Sequence, residues 1–356
     1  MKILLLGGTG AMGEHLAHIL ALKGWDITVT SRKIHKSEPN IMYIQGNAHE
    51  LDFVESLFSL CFDVIVDFMV YNTEEFKLRY IKMLDACKQY IYLSSSRIYA
   101  DSPLISEDSP RLLENCTITE YLKTDEYALA KARQENLLYL SGRNNYTIIR
   151  PYITFSEMRL QLGVMEKEAW LWRALHGRTI VFSKDIVDKY TTLTYGLNVS
   201  EGIAAIIGKK EALGESFHIT ASESYKWSEL LNTYLSVLEE TMGYCPKVYY
   251  TDKCINLHDK VSQWQVRVDR YYNRCFDNNK IAAFIDVSKF LPTKDGLAFC
   301  LREFIKHPEF ISIVVRREAL KDRLTGELAY PSDFPHLKTW VKYIIFRFIY
   351  PIKKLY

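Results

Sequence analysis

The sequence has little of what would set it apart from an ordinary folded globular chain. None of its seven cysteines (Cys61, Cys87, Cys116, Cys245, Cys254, Cys275 and Cys300) pairs as CxxC or shares a metal-ligand spacing with histidine. That pattern excludes a zinc module and a disulfide framework, and reads as buried thiols in a reducing compartment. Excess charge is nearly absent: 45 basic residues face 43 acidic ones, a net of +2. No global field therefore recommends nucleic acid or an acidic polymer as a partner. The first residues run straight into an apolar stretch, with no basic segment followed by a small-residue cleavage site, which reads as a cytoplasmic address. Internal repeats and low-complexity tracts are missing too.

What is present is a chain of 356 residues, 48% hydrophobic and 25% charged, enough to bury a large core in one large or two interlocked domains. Its first half alternates short apolar runs with helical patterns. "KILLLG" from Lys2, "DITVTSR", "IMYIQGN", "FDVIVDFMV", "QYIYLSSS" and "YTIIRPYIT" read as six strands. Between them "EHLAHILALKG", closed by Gly24, "ELDFVESLFSLC" and "EEFKLRYIKMLDACK" read as helices. Strands alternating with helices make a parallel, doubly wound α/β sheet, whose ligands bind at the carboxyl ends of the strands.

The first such end carries Gly7, Gly10 and Gly13, in the spacing G-x-x-G-x-x-G between a strand and a helix. Glycines there serve a turn of unusual backbone angles, a close approach by pyrophosphate and tight helix packing, so a dinucleotide is expected, with Thr9 and Met12 beside it. The end of the second strand selects the dinucleotide. It holds Ser31, Arg32 and Lys33 where an NAD site would hold a carboxylate, and a hydroxyl with a guanidinium suits a 2′-phosphate. NADP(H) is expected over NAD(H), unless Arg32 and Lys33 are merely solvated loop charges. Asn47, at the end of the third strand, stands where an acid is usual and can offer its carbonyl oxygen to adenine.

Further on, "DEYALAKARQEN" places Tyr127 and Lys131 four residues apart on one helix face. An ammonium near a phenol favours phenolate and equips the tyrosine to exchange a proton with an alcohol. Taken alone, Y-x-x-x-K is equally the mark of an exposed helix pair. It gains meaning from "LSSSRIYA", which ends the fifth strand ahead of it.

The glycine turn, "SSSRIYA" and Y-x-x-x-K, in that order, resemble the extended short-chain dehydrogenase/reductase superfamily, in particular its enzymes acting on nucleotide sugars. Aligning the family's V-Y-G on Ile98, Tyr99 and Ala100 puts its catalytic hydroxyl at Ser95. The resemblance covers about residues 1–305. It implies a Rossmann-type domain over 1–155 with returning segments near 190–220, and a smaller, discontinuous C-terminal α/β substrate lobe mainly over 156–305. An extension at 306–356 would follow. It also implies catalysis by Ser95, Tyr127 and Lys131, contact of Tyr127, Lys131 and Pro151 with the cofactor, a nucleotide-sugar substrate and a homodimer, with no metal. Tyr71, Asn72, Tyr152, Thr154, Tyr190 and Thr192 are candidate substrate contacts. An Asp-Glu pair after the catalytic hydroxyl marks the family's dehydratases; here Ser96 and Arg97 follow, which favours an epimerase or a reductase. A non-catalytic dinucleotide-binding sensor or scaffold of the same fold is the alternative.

The tail, "HLKTWVKYIIFRFIYPIKKLY", has an aromatic and branched run from Trp340 to Ile352 that is too short to span a bilayer. Lys342 and Arg347 fall on different sides of a helical wheel, so the run is not cleanly amphipathic. Three roles stay open for 340–356: packing within the protein, contact with another subunit, or peripheral attachment to a membrane.

Overall fold

The computed structural model describes residues 1–257 and 263–350, and the chain divides into two compact units. The first comprises Met1–Ser156, Thr192–Ser224 and Arg274–Thr293; the second comprises Glu157–Thr191, Tyr225–Asn273 and Lys294–Tyr356.

In the first unit, β1 (Lys2–Leu6), β2 (Asp26–Ser31), β3 (Ile41–Gln45), β4 (Val64–Asp67), β5 (Gln89–Leu93) and β6 (Tyr146–Pro151) lie parallel in one sheet. The strand Glu215–Ile219 adds a seventh, parallel to β6. The order across the sheet runs from this strand through β6, β5, β4, β1 and β2 to β3. Strand order reverses between β1 and β4, which opens a crevice at their carboxyl ends.

Alternation along β1 shows why an all-apolar strand is needed. Ile3 and Leu5 enter one core with Leu16, Leu20, Val199 and Ile203, while Leu4 and Leu6 enter the opposite core with Val54, Met83 and Tyr92. Both sheet faces are buried, so no polar alternation survives. The helix Gly13–Leu22 follows β1 and ends before Gly24, whose φ of +74° suits glycine.

The run "EEFKLRYIKMLDACK" does not form one helix. It breaks into Thr73–Lys77 and Tyr80–Asp85, because Arg79 between them turns inward to the carbonyls of Ala48 and His49 at 3.1 and 2.9 Å. The cysteines also depart from expectation: Cys61 and Cys245 are exposed, while Cys254 and Cys300 are buried, and all seven are free thiols. Burial pushes Cys87 and Cys254 up to about 12, which keeps these two as thiols.

The second unit carries a two-stranded parallel pair, Ile180–Ser183 with Val248–Thr251, and the helices Lys167–Leu175, Trp227–Met242, Val315–Thr325 and Leu337–Ile344. The described residues from Val315 onward pack within this unit. Arg173, fully buried, pairs with Glu318 at 3.0 Å, Asp322 at 2.7 Å and Glu327 at 2.9 Å. Three carboxylates around one guanidinium tie Val315–Glu327 to the helix Lys167–Leu175. Among the described residues, no helix is long and apolar enough to cross a membrane, and no metal-ligating cluster of His, Cys, Asp or Glu occurs.

Candidate active site

Each of the three expected glycines meets a different physical demand. Gly7 takes φ +68°, and a Cβ there would stand 2.6 Å from Met69 Sδ. A Cβ on Gly13 would stand 2.6 Å from the Gly8 backbone, so the helix start rests directly on the turn. A Cβ on Gly10 would meet nothing within 4 Å, so that side of the turn is open to a ligand. Gly7 N donates to Thr30 Oγ1 at 2.9 Å, fixing the turn to β2.

Beside the turn lies a cleft of about 230 Å³, lined by Gly7, Thr9, Ser31, Arg32, Asn47 and Met69 among others. Five expected cofactor residues therefore share one cavity. Arg32 is exposed at its rim, and Ser31 Oγ accepts from Lys33 N at 3.1 Å. No carboxylate stands at the end of β2. Asn47 braces its own loop: its Oδ1 accepts from His49 N at 3.2 Å and its Nδ2 donates to Glu50 at 3.3 Å. Met12 supports the turn from behind, with its carbonyl accepting from Ser200 Oγ at 2.6 Å.

Tyr127, Lys131 and Glu135 recur every fourth residue along the helix Tyr127–Tyr139, on one face. Lys131 is buried, its Nζ donating to Leu93 O at 2.6 Å at the carboxyl end of β5, with Met69 O at 3.5 Å. The same ammonium lies 6.0 Å from the Tyr127 ring centre. Burial lowers Lys131 to about 8, against the opposing pull of Asp67 and Glu135. Ser95 follows Leu93 by two positions and is buried, with Oγ accepting from Arg97 N at 3.2 Å, so its own proton remains for donation. Ser94 Oγ is buried without a hydrogen-bond partner, whereas Ser96 Oγ donates to Arg150 O at 2.6 Å. The first two serines are thus the ones with hydroxyls to offer.

Two more residues belong to the site: Glu135, which the sequence reading did not single out, and Arg97, which it used only as the residue standing in place of an acid. The Arg97 guanidinium lies 5.3 Å from the Tyr127 ring centre and pairs with Glu126 at 2.6 Å, setting a second cation beside the phenol. Glu135, fully buried, takes Arg150 Nε and Nη2 at 2.9 Å each and Arg111 at 3.2 Å. Arg150 also donates to Tyr99 Oη at 2.8 Å. This network clamps the helix bearing Tyr127 and Lys131 onto β6 and the loop after β5. The i, i+4, i+8 spacing was its sequence signal, but the partner, Arg150, is recognisable only once β6 is beside β5.

Pro151 closes β6, and two residues later Ile153 takes φ +30°, an unusual conformation for a β-branched side chain. Among the candidate substrate contacts, Tyr71, Asn72, Thr154 and Thr192 have polar groups engaged in the fold. Tyr71 is buried and its hydroxyl donates to Asp67 at 3.4 Å; Asn72 caps the helix Thr73–Lys77 through Glu75 N at 2.8 Å. Thr192 is buried, donating to Arg274 O at 2.8 Å. Tyr152 is buried against Phe276, and Thr154 is buried with its hydroxyl 3.8 Å from Met12 Sδ. Tyr190, in the second unit, is 41% exposed.

A family model described as "NAD dependent epimerase/dehydratase family" matches residues 3–188, which hold the glycine turn, the serines and the Tyr127 helix. The chain belongs to this family. UDP-glucuronic acid 4-epimerase from Bacillus cereus, solved with UDP-glucuronic acid and NAD, is similar at a TM-score of 0.65 and 18% identity, over 86% of this chain and 99% of that one. dTDP-glucose 4,6-dehydratase from Bacillus anthracis, solved with NAD, is similar at 0.64 and 15%, over 87% and 98%. At such identities the likeness shows the fold. Among curated sequences, the 41 kDa chloroplast stem-loop binding protein b of Arabidopsis thaliana is 26% identical over 239 residues. That match takes in 62% of this chain and spans 59% of the length of the relative.

Proposed function

We propose that the chain is an NAD(P)-dependent sugar-nucleotide epimerase or reductase that works through Ser95, Tyr127 and Lys131. The observation that carries this reading is Lys131, buried and bonded to the carboxyl end of β5, with Tyr127 above it and Ser95 two residues beyond its acceptor. The glycine turn, open at Gly10, and the adjoining cleft fit a dinucleotide's phosphates and adenosine half. Nicotinamide, when bound, supplies hydride chemistry at a sugar carbon.

The protein's own groups do the rest. Ser95 Oγ donates to the reacting oxygen, Tyr127 takes or returns its proton, and Lys131 directs a remaining N–H at a ribose hydroxyl. Two cations, Lys131 and Arg97, lie near the Tyr127 ring. Similarity to a UDP-glucuronic acid 4-epimerase and a dTDP-glucose 4,6-dehydratase supports a nucleotide sugar as substrate. A cytoplasmic setting is supported by the free cysteines, and a homodimer by the resemblance to the superfamily.

NADP(H) preference is supported by Arg32 at the cleft rim and by the lack of a carboxylate at the end of β2. In titrations of the purified chain, NADPH is expected to bind more tightly than NADH. Arg32→Ala should remove about tenfold of that margin by loss of a charge-assisted contact. Equal affinities in the parent chain would contradict the preference, and binding of neither would contradict the whole reading. The stem-loop binding relative favours a second reading, a non-catalytic binding protein. Retention of both Tyr127 and Lys131, on one face of one helix, favours catalysis, and tight dinucleotide binding without any turnover would favour the alternative.

A further inference from the structure

The helix Leu337–Ile344 continues through a wider π turn over Ile345–Ile349. One side of it is fastened to the second unit. Trp340 Nε1 donates to Ala329 O at 3.0 Å, buried Tyr343 donates to Asp322 at 2.6 Å, and Arg347 Nε donates to Glu327 O at 3.1 Å. Arg347 therefore belongs to the packed side, which removes the charge that spoiled the helical wheel. The outer side shows Leu337 at 65% exposure, Val341 at 47%, Ile345 at 41%, Phe348 at 61% and Ile349 at 74%. These recur at i, i+4, i+8, i+11 and i+12, a continuous stripe.

Lys338 and Lys342, both exposed, run beside the stripe. From Phe334 to Tyr356 the sequence holds Lys338, Lys342, Arg347, Lys353 and Lys354 and no acidic residue at all; Lys353 and Lys354 lie outside the described residues. An apolar stripe edged by cations, on a helix about 20 Å long, suits a surface that offers hydrocarbon and negative charge together. We propose that this face docks on an anionic lipid bilayer, lying in the interface with Phe348 and Ile349 inserted and the lysines at the headgroups. A second copy of the chain fits less well, because a two-fold pairing of the stripes would bring Lys342, near the middle of the helix, toward its own counterpart, and this segment offers neither lysine an acidic partner. The helix is too short to cross, so attachment is peripheral.

The test is flotation of the full-length chain with phosphatidylcholine vesicles, with and without about a quarter phosphatidylglycerol. Binding is expected only to the anionic vesicles and should weaken in high salt. The double variant Phe348→Ser/Ile349→Ser, at two exposed positions, should lower the partition at least about tenfold. Independently, Lys338→Glu/Lys342→Glu should lower it by about fivefold per lysine or more. Failure of the parent chain to float with anionic vesicles, or flotation that neither variant changes, would overturn the proposal. So would a parent dimer that Phe348→Ser/Ile349→Ser converts to monomer without any vesicle binding by the parent.

Discussion

Tyr127→Phe is expected to lower kcat by about 10²- to 10⁴-fold, the range typical for removing a positioned proton carrier. Protein stability and dinucleotide retention should change little, because the ring and the helix start are kept. Two cations stand by the phenol, Lys131 Nζ at 6.0 Å and Arg97 Cζ at 5.3 Å from the ring centre. Neither cation replaces the hydroxyl: a guanidinium does not give up its proton, and Lys131 Nζ is held on Leu93 O at 2.6 Å. Lys131→Met should also depress turnover, but it additionally removes a buried hydrogen bond to Leu93 O and so should cost stability. Steady-state rates alongside thermal melts separate the two cases. Full activity of Tyr127→Phe would remove Tyr127 from the chemistry.

Glu135→Ala carries the largest expected effect on stability. It leaves Arg150, 2% exposed, without the carboxylate that neutralises it, and breaking a buried pair in this way costs about 3–5 kcal/mol. The loss should be read as a lower urea midpoint with an unchanged slope. Replacing both partners, as Glu135→Leu/Arg150→Met, should recover much of the loss, because no uncompensated charge is left buried. Recovery would still leave Tyr99 Oη and Tyr139 Oη short of the donors that Arg150 supplies, so restoration is expected to be incomplete. A Glu135→Ala cost below about 1 kcal/mol would show that the clamp does not hold the Tyr127 helix.

Much of the first unit is legible in the sequence for a plain reason. A parallel sheet buried on both faces requires continuous apolar runs, so "KILLL", "VIVD" and "QYIYL" announce themselves, and the glycine turn follows β1 at once. The serines and the Tyr127–Lys131 pair are visible because their spacing is local. Features set by distant partners were not legible. Arg79 splits a helix by reaching back to Ala48 and His49, and Arg274–Thr293 returns to the first unit long after its sheet is complete. Tyr71 and Thr192 look like cleft residues until their hydroxyls are found bonded to Asp67 and Arg274. Arg347 breaks the apolar run on a helical wheel until Glu327 O is found to accept from it. Arg79 and Thr192 meet partners far off in the chain, whereas Tyr71 meets Asp67 only four residues away, across the turn that follows β4.

The most direct measurement is turnover of nucleotide sugars by the purified chain. UDP- and dTDP-hexoses and their uronic acids would be incubated with and without added NADPH, and followed by NMR and by absorbance of the reduced nicotinamide. The account predicts a new sugar epimer formed without net cofactor consumption, or a reduced sugar formed with stoichiometric NADPH oxidation, and loss of either with Tyr127→Phe. A chain that binds the dinucleotide yet transforms none of these sugars would contradict it.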